Sequence, residues 1–433
     1  MSSSVESSFP FRPDEAFARQ LDDADPLSPL REKFRLPAGE DGEPAIYFCG
    51  NSLGLQPVAA RGIVEEELST WARLGVEGHF AGTAPWYDYH RRLTAGLARL
   101  AGALPREVVA MNSLTVNLHL MMTSFYRPTP ARHKVLMEDG AFPSDSYAVQ
   151  SHLRNHGFDP AAALLVARPR PGEDLLRADD LLSLLEEKGG EIALVLLGAV
   201  NYVTGQAFDS RGVAQIARRQ GCAVGLDLAH AIGNIPLALH DWDVDFAVWC
   251  SYKYLNGGPG AAGGCFVHER HARAAGLPRL AGWWGNDPAT RFEMRRVQDF
   301  IPAEGAEGWQ VSNPPILAMA PLRAALDRFD EAGMDALREK SIRLTGYLEA
   351  LLDRIPGNAY RILTPRDPGA RGCQLSVRTR VAGRALVQAL REKGLVADFR
   401  EPDVLRLAPV PLYNRFTEAY RAACILEQAA ASS

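Results

Sequence analysis

Two residues define the chemistry open to this chain. Asp227 ends the apolar run Val224-Gly225-Leu226, and Lys253 follows a second apolar run, Phe246-Ala247-Val248-Trp249, after Cys250-Ser251-Tyr252. Each run reads as a buried strand, and ligands of open α/β sheets sit at the carboxyl ends of strands. An acid and an amine delivered this way can face one ligand. A pyridinium nitrogen stays protonated beside an anion, and an aldehyde forms a Schiff base with an amine; pyridoxal phosphate uses both at opposite ends of one ring. Each residue alone has a plainer reading, a helix cap for Asp227 and a solvated side chain for Lys253. Their joint placement in apolar runs, followed by the glycine-rich Asn256-Gly257-Gly258-Pro259-Gly260, favours the cofactor.

The elements that must hold this pair follow from the periodicity. Strand patterns fall at 108–111, 135–137, 163–167, 192–197, 224–227 and 246–249, and helical patterns open at 112 and span 177–187 and 211–220. Such alternation implies crossovers and a mostly parallel sheet, hence an α/β fold. Upstream, a short helix is predicted from Pro13, a strand over 45–49, and helices over 58–74 and 86–101, with residues 1–10 disordered. After Pro314-Pro315 long helices are predicted over 316–332 and 335–354. Strands at 360–363, 373–378, 395–399 and 404–408, with helices at 383–393 and 416–430, then describe a smaller, mostly antiparallel α/β domain. The expected division is 1–55 as a segment packing with the small domain, 56–313 as the large cofactor-binding domain, and 314–433 as the small one.

Composition narrows the partners. The 433 residues include 47% hydrophobic and 23% charged, with a net charge of −5, an ordinary globular balance without a basic field for nucleic acid or a membrane surface. No signal-like terminus or membrane-length apolar run is present. The six cysteines lack CxxC pairing and read as reduced thiols, so a cytoplasmic location is expected. Gly258, Gly260 and Gly263 satisfy GxGxxG but precede a strand-like Cys265-Phe266-Val267, which argues against a dinucleotide site. Zinc-type spacings are absent, and no metal is expected.

Several other residues carry candidate chemistry. Asn112-Ser113-Leu114-Thr115 opens a helix, whose free N–H groups suit a phosphate, although Ser113 also reads as a simple cap. Phe142-Pro143-Ser144-Asp145 combines a flat ring, a rigid turn and an acid. Arg406 lies in an apolar strand, Val404-Leu405-Arg406-Leu407, where a guanidinium needs an anion, either a substrate carboxylate or a structural partner. His230, three positions after Asp227, and His79, in a loop, have plainer readings as a core and a solvated histidine.

Distributed motifs also carry a resemblance. DLAHAIGN at 227–234, HDWDVDFAVWCSYKYLNGGPG at 240–260, GWWG at 282–285, TRF at 290–292, SNPPI at 312–316, RGCQL at 371–375 and APVPLYN at 408–414 resemble kynureninases. CGNSLGLQP at 49–57, NSLTVNLHL at 112–120 and FPSD at 142–145 extend the match upstream. The resemblance implies the aspartate-aminotransferase fold, fold type I of pyridoxal-phosphate enzymes, and a homodimer with shared sites.

For individual residues, the resemblance implies that Lys253 carries the cofactor and Asp227 faces its pyridine nitrogen. Leu114 and Thr115 would cradle the phosphate, Phe142 stack on the ring, and Pro143, Ser144 and Asp145 complete that wall. His230 would support Asp227 or touch the phosphate, which Tyr252 and Trp283 would anchor, the latter from a neighbouring subunit. Ser52 and Arg406 would take the amino-acid end of the substrate, with Arg406 on its carboxylate. Asn313, beside the cofactor, and His79 would lie at the aromatic ring, which favours 3-hydroxykynurenine. The implied reaction is hydrolysis of L-kynurenine or L-3-hydroxykynurenine to L-alanine and anthranilate or 3-hydroxyanthranilate, in tryptophan catabolism or NAD biosynthesis, with Tyr252 as a proton-transfer residue. Gly198, where many relatives carry a hydroxyl, and Asn286, where many carry histidine, depart from the family pattern. Alternatives are another enzyme of the same fold, an aminotransferase or a desulfurase-like lyase sharing Asp227 and Lys253, or a non-catalytic binding protein.

Overall fold

The computed structural model describes residues 11–40, 42–273, 276–293, 295–296, 298–380 and 383–431. The expected disorder of 1–10 falls outside these residues. A seven-stranded sheet forms from β1 (Val108–Ala110), β2 (Lys134–Glu138), β3 (Leu164–Ala167), β4 (Ile192–Gly198), β5 (Ala223–Asp227), β6 (Phe246–Trp249) and β7 (Gly264–Val267), in the order β1-β7-β6-β5-β4-β2-β3. All neighbours are parallel except β7, which runs antiparallel to β1 and β6.

The continuous apolar runs reflect burial on both faces, which a crossover-connected sheet requires. Successive side chains alternate between faces: Leu136, Val195 and Leu226 enter one core, while Val135, Leu194 and Leu196 enter the other. The antiparallel β7 follows from the glycine-rich link after β6, which turns back without a crossover helix. A Cβ on Gly263 would lie 2.6 Å from the Trp249 carbonyl oxygen, and one on Gly264 would lie 2.2 Å from the Trp249 ring. Close approach therefore explains these glycines. Gly225 does the same within β5, where a Cβ would fall 2.1 Å from the Phe246 ring.

A second sheet is antiparallel throughout. Its strands are β8 (Tyr360–Ile362), β9 (Leu375–Thr379), β10 (Asp398–Arg400) and β11 (Val404–Leu407), in the order β8-β9-β11-β10. The single strand expected over 395–399 is two pieces. Leu395–Val396 pairs in parallel with Ile46–Tyr47, and β10 pairs with β11. A partner from the far N-terminal region captures the first piece, a long-range event that local alternation does not encode.

Phe17, Ala18 and Leu21 join Leu344, Leu348 and Phe416 in the core beneath this second sheet. The helix Ile316–Ala332 instead packs Leu322, Leu326 and Phe329 into the larger core with Leu93 and Leu97. The helix expected over 86–101 begins at Arg91. Among the described residues, no helix is long and apolar enough to cross a membrane.

Candidate active site

The carboxyl ends of β2, β4 and β5 converge with the segment beyond β6 on one cavity. Glu138, Gly198, Asp227, Tyr252 and Lys253 line it. Leu114, Thr115, Phe142, Asp145 and His230 close its walls, so most of the residues expected at the cofactor meet here.

Lys253 Nζ lies 3.1 Å from His230 Nε2 and 5.6 Å from the centre of the Phe142 ring. Burial, followed by the charge of Lys253, holds the His230 pKa well below the usual imidazole range. A neutral imidazole accepting from the amine at Nε2 carries its proton on Nδ1, which is buried without a partner. His230 is thus seated against Lys253, a contact the sequence did not predict.

At the other end, Asp227 Oδ1 accepts the Ala229 N–H at 2.6 Å. Asp145 is 3% exposed and its Oδ1 has no partner. Burial first, then the charge of Asp227, raises the Asp145 pKa well above the carboxylate range, so Asp145 keeps its proton. Burial also raises the Tyr252 pKa, which keeps its phenol protonated.

Two helix starts meet at another edge of the cavity. Ser113 occupies the cap position of the helix Leu114–Phe125, but its side chain makes no capping bond. The first N–H groups of that helix remain open to an anion. Thr115 Oγ1 and Ser144 Oγ lie 2.9 Å apart, tying this helix to Pro143–Asn155, where Pro143 takes a first-turn position that lacks an obligatory N–H bond.

A second cluster surrounds Arg406, which is 1% exposed. Its Nη1 donates to the Tyr202 carbonyl at 2.8 Å, and its Nη2 donates to Asp398 Oδ2 at 2.6 Å and to Ser52 Oγ at 3.1 Å. Ser52 Oγ also donates to Asp398, and Arg400 Nη2 reaches the same oxygen at 3.1 Å. A structural ion pair is therefore present, but two guanidiniums share one carboxylate. Among the described residues, these two guanidiniums have only this one carboxylate as an ion-pair partner. Tyr202 joins the clusters: it lines the Lys253 cavity and meets the Phe142 ring edge-on at 5.2 Å.

His79, Trp283 and Asn313 do not line this cavity. His79 packs edge-on against Trp86 at 5.4 Å. Trp283 donates from Nε1 to the Arg291 carbonyl and meets Phe292 edge-on at 5.6 Å, and Asn313 is exposed. Phe80, Trp283 and Phe292 form an exposed aromatic surface beside them. Asn286 is occupied structurally, accepting from Ile301 N–H and donating to Thr290 Oγ1.

Sequence reasoning missed Asp398, Arg400, Tyr202 and Glu138. Glu138 ends a strand as Asp227 does, so the same signal was available for it. Asp398 faces Arg406 through the β10–β11 register, which no local pattern reveals.

An orphaned acid, an amine, an aromatic face and an open helix start fit a flat ring bearing a nitrogen, an aldehyde and a phosphate. Fold and site define a pyridoxal-phosphate-dependent enzyme of fold type I. Solved structures agree on the fold. A cysteine desulfurase from Thermococcus onnurineus NA1 has a TM-score of 0.73 at 16% identity, covering 90% of this chain and 95% of that one. A complex of the cystine C-S lyase C-DES with cysteine persulfide has a TM-score of 0.73 at 19% identity, covering 88% and 97%.

The family follows from sequence. The kynureninase C-terminal domain model matches residues 337–426. The kynureninase of Myxococcus xanthus is 57% identical over 417 residues, 96% of this chain and 97% of that one. That of Koribacter versatilis is 57% identical over 407 residues, 94% and 96% of the two chains. The chain belongs to the kynureninase family.

Borohydride reduction of the cofactor-loaded protein is expected to attach a pyridoxyl group to the Lys253 peptide, read by peptide mass. Lys253→Ala is expected to lose the label. Label on another lysine would reject the assignment.

Proposed function

We propose that this chain hydrolyses L-kynurenine or L-3-hydroxykynurenine. Water adds across the bond between the β-carbon and the aryl ketone carbon, giving L-alanine and anthranilate or 3-hydroxyanthranilate. The water oxygen enters the new aromatic carboxylate, and a proton goes to the β-carbon. Family membership supplies the reaction. Arg406 carries it to an amino-acid substrate: its cluster holds one uncompensated positive charge, one tyrosine away from Lys253.

When bound, pyridoxal phosphate supplies an electron sink for the negative charge that develops on the substrate carbons. Lys253 Nζ moves the substrate α-proton. His230, uncharged at 3.1 Å, supports the amine without adding a second positive charge. Asp227, with Asp145 beside it, places the anion that a pyridinium requires. The phenol of Tyr252, kept protonated by burial, delivers a proton as the carbon–carbon bond breaks. Arg406 holds the α-carboxylate, with Ser52 on its guanidinium.

We assign the substrate ring to His79 and Asn313, both able to hydrogen-bond a 3-hydroxyl. The exposed aromatic surface around Phe80, Trp283 and Phe292 supports a homodimer in which a second copy completes this end. The six unpaired cysteines support a cytoplasmic location, and the products support roles in tryptophan catabolism and NAD biosynthesis.

Incubation with L-3-hydroxykynurenine is expected to release alanine and 3-hydroxyanthranilate, with a larger kcat/KM than for L-kynurenine. A clear preference for L-kynurenine rejects the ring assignment, and absence of both products rejects the function. Arg406→Lys keeps the charge but loses the planar fork, so KM should rise about 10–100-fold, the worth of one charged hydrogen bond, with cofactor absorbance unchanged. A fall in kcat at constant KM would contradict that role. Sedimentation velocity is expected to show a dimer, and a monomer with full activity would reject the shared site.

A further inference from the structure

We propose that Glu138, buried at the end of β2 and seated on the Gly198 N–H beside Asp227, is a positioning residue that tunes the charge at the pyridine end of the site. This rests on the cofactor reading above.

The geometry is specific. Glu138 ends β2, is 4% exposed and lines the cavity that holds Asp227 and Lys253. Both its carboxyl oxygens face the Gly198 N–H, at 3.2 and 3.3 Å. Gly198 in turn pairs in register with Asp227 across β4 and β5. A Cβ on residue 198 would lie 3.0 Å from Glu138 Oε1. With no side chain at Gly198, this oxygen rests there uncrowded.

Charge balance supplies the rest. Glu138 is absent from the ion pairs found among the described residues. The groups that share its cavity are Asp227 at the end of β5, Asp145 on the helix Pro143–Asn155, His230 beyond β5, Tyr202 beyond β4, and Tyr252 and Lys253 beyond β6. Burial keeps His230 and Tyr252 uncharged, and among the described residues lining the cavity Lys253 is the one amine beside three acids. Three carboxylates buried this close together resist ionising at once, and burial favours their protonated forms. Burial pushes the Glu138 pKa up to about 8, its backbone N–H contacts oppose that rise, and the charge of Asp227 adds to it. Glu138 then stays neutral beside Asp227 at neutral pH. Above that range Glu138 ionises, placing a further negative charge beside the ring site.

A carboxyl whose folded pKa exceeds its unfolded value binds its proton more tightly in the folded state. Its contribution is complete below the unfolded value of 4.5 and is lost as pH rises through about 8.

The test begins with the apo-protein, so it does not depend on the cofactor. Thermal unfolding is compared between about pH 6 and about pH 9, a span that takes in the upper part of the transition and the folded-state value. The wild-type midpoint is expected to fall across this range, and Glu138→Gln, neutral and nearly isosteric, should lose most of that fall. In the loaded protein, the pH midpoint of the visible cofactor band should move to lower pH in Glu138→Gln, because the extra negative charge no longer favours the protonated form. Superimposable wild-type and variant pH profiles in the apo-protein would overturn the proposal. If Glu138→Gln does not fold, Gly198→Ala decides. Its methyl crowds and desolvates the carboxyl, so the stability transition should move to higher pH, and an unmoved transition overturns the proposal. A wild-type protein that takes up no pyridoxal phosphate would instead overturn the underlying cofactor reading, while the apo-protein melts would still report on Glu138.

Discussion

The whole arrangement depends on keeping a few ionisable groups dry without leaving their charges unbalanced. Asp227, Asp145, Glu138, His230 and Lys253 meet at the ends of strands that are buried on both faces. In such a place a charge must find a partner or be given up as a proton. His230 remains an uncharged imidazole, and Asp145 and Glu138 hold protons beyond the usual carboxylate range. Asp227 and Lys253 line the same cavity, which has room for a flat cofactor between them.

The scaffold enforces that balance through backbone geometry. Parallel strands bring their carboxyl ends to one edge, and β7 turns back on glycines that bring its start close to Trp249. Gly225 and Gly198 are small for different reasons. The first admits the Phe246 ring against the strand bearing Asp227, and the second leaves room for the Glu138 carboxyl.

The Arg406 cluster is organised by the smaller sheet. Arg406 is buried, yet its ion pair with Asp398 is shared with Arg400, so the cluster is anchored and still cationic. Tyr202 connects it to the cofactor cavity by its carbonyl on one side and its ring on the other. A guanidinium held this way is pre-oriented, which lowers the entropy lost when it binds a carboxylate.

Much of this was legible in the sequence. Apolar runs of strand length revealed β2, β4, β5 and β6, and a charged residue ending or interrupting such a run marked Asp227 and Arg406. These signals are local, because burial period and charge placement are written residue by residue along the chain. The aromatic acid turn at Phe142–Asp145 and the lysine segment were readable for the same reason, and the family motifs supplied the substrate. Tertiary structure alone decided the rest. The register of β10 against β11 sets Asp398 opposite Arg406, and Ile46–Tyr47 captures Leu395–Val396 and splits an expected strand. The space above Gly198 admits Glu138, and chain folding turns His230 toward Lys253. Each of these depends on which distant segments meet, and a pattern with a period of two or 3.6 residues carries no information about that partner.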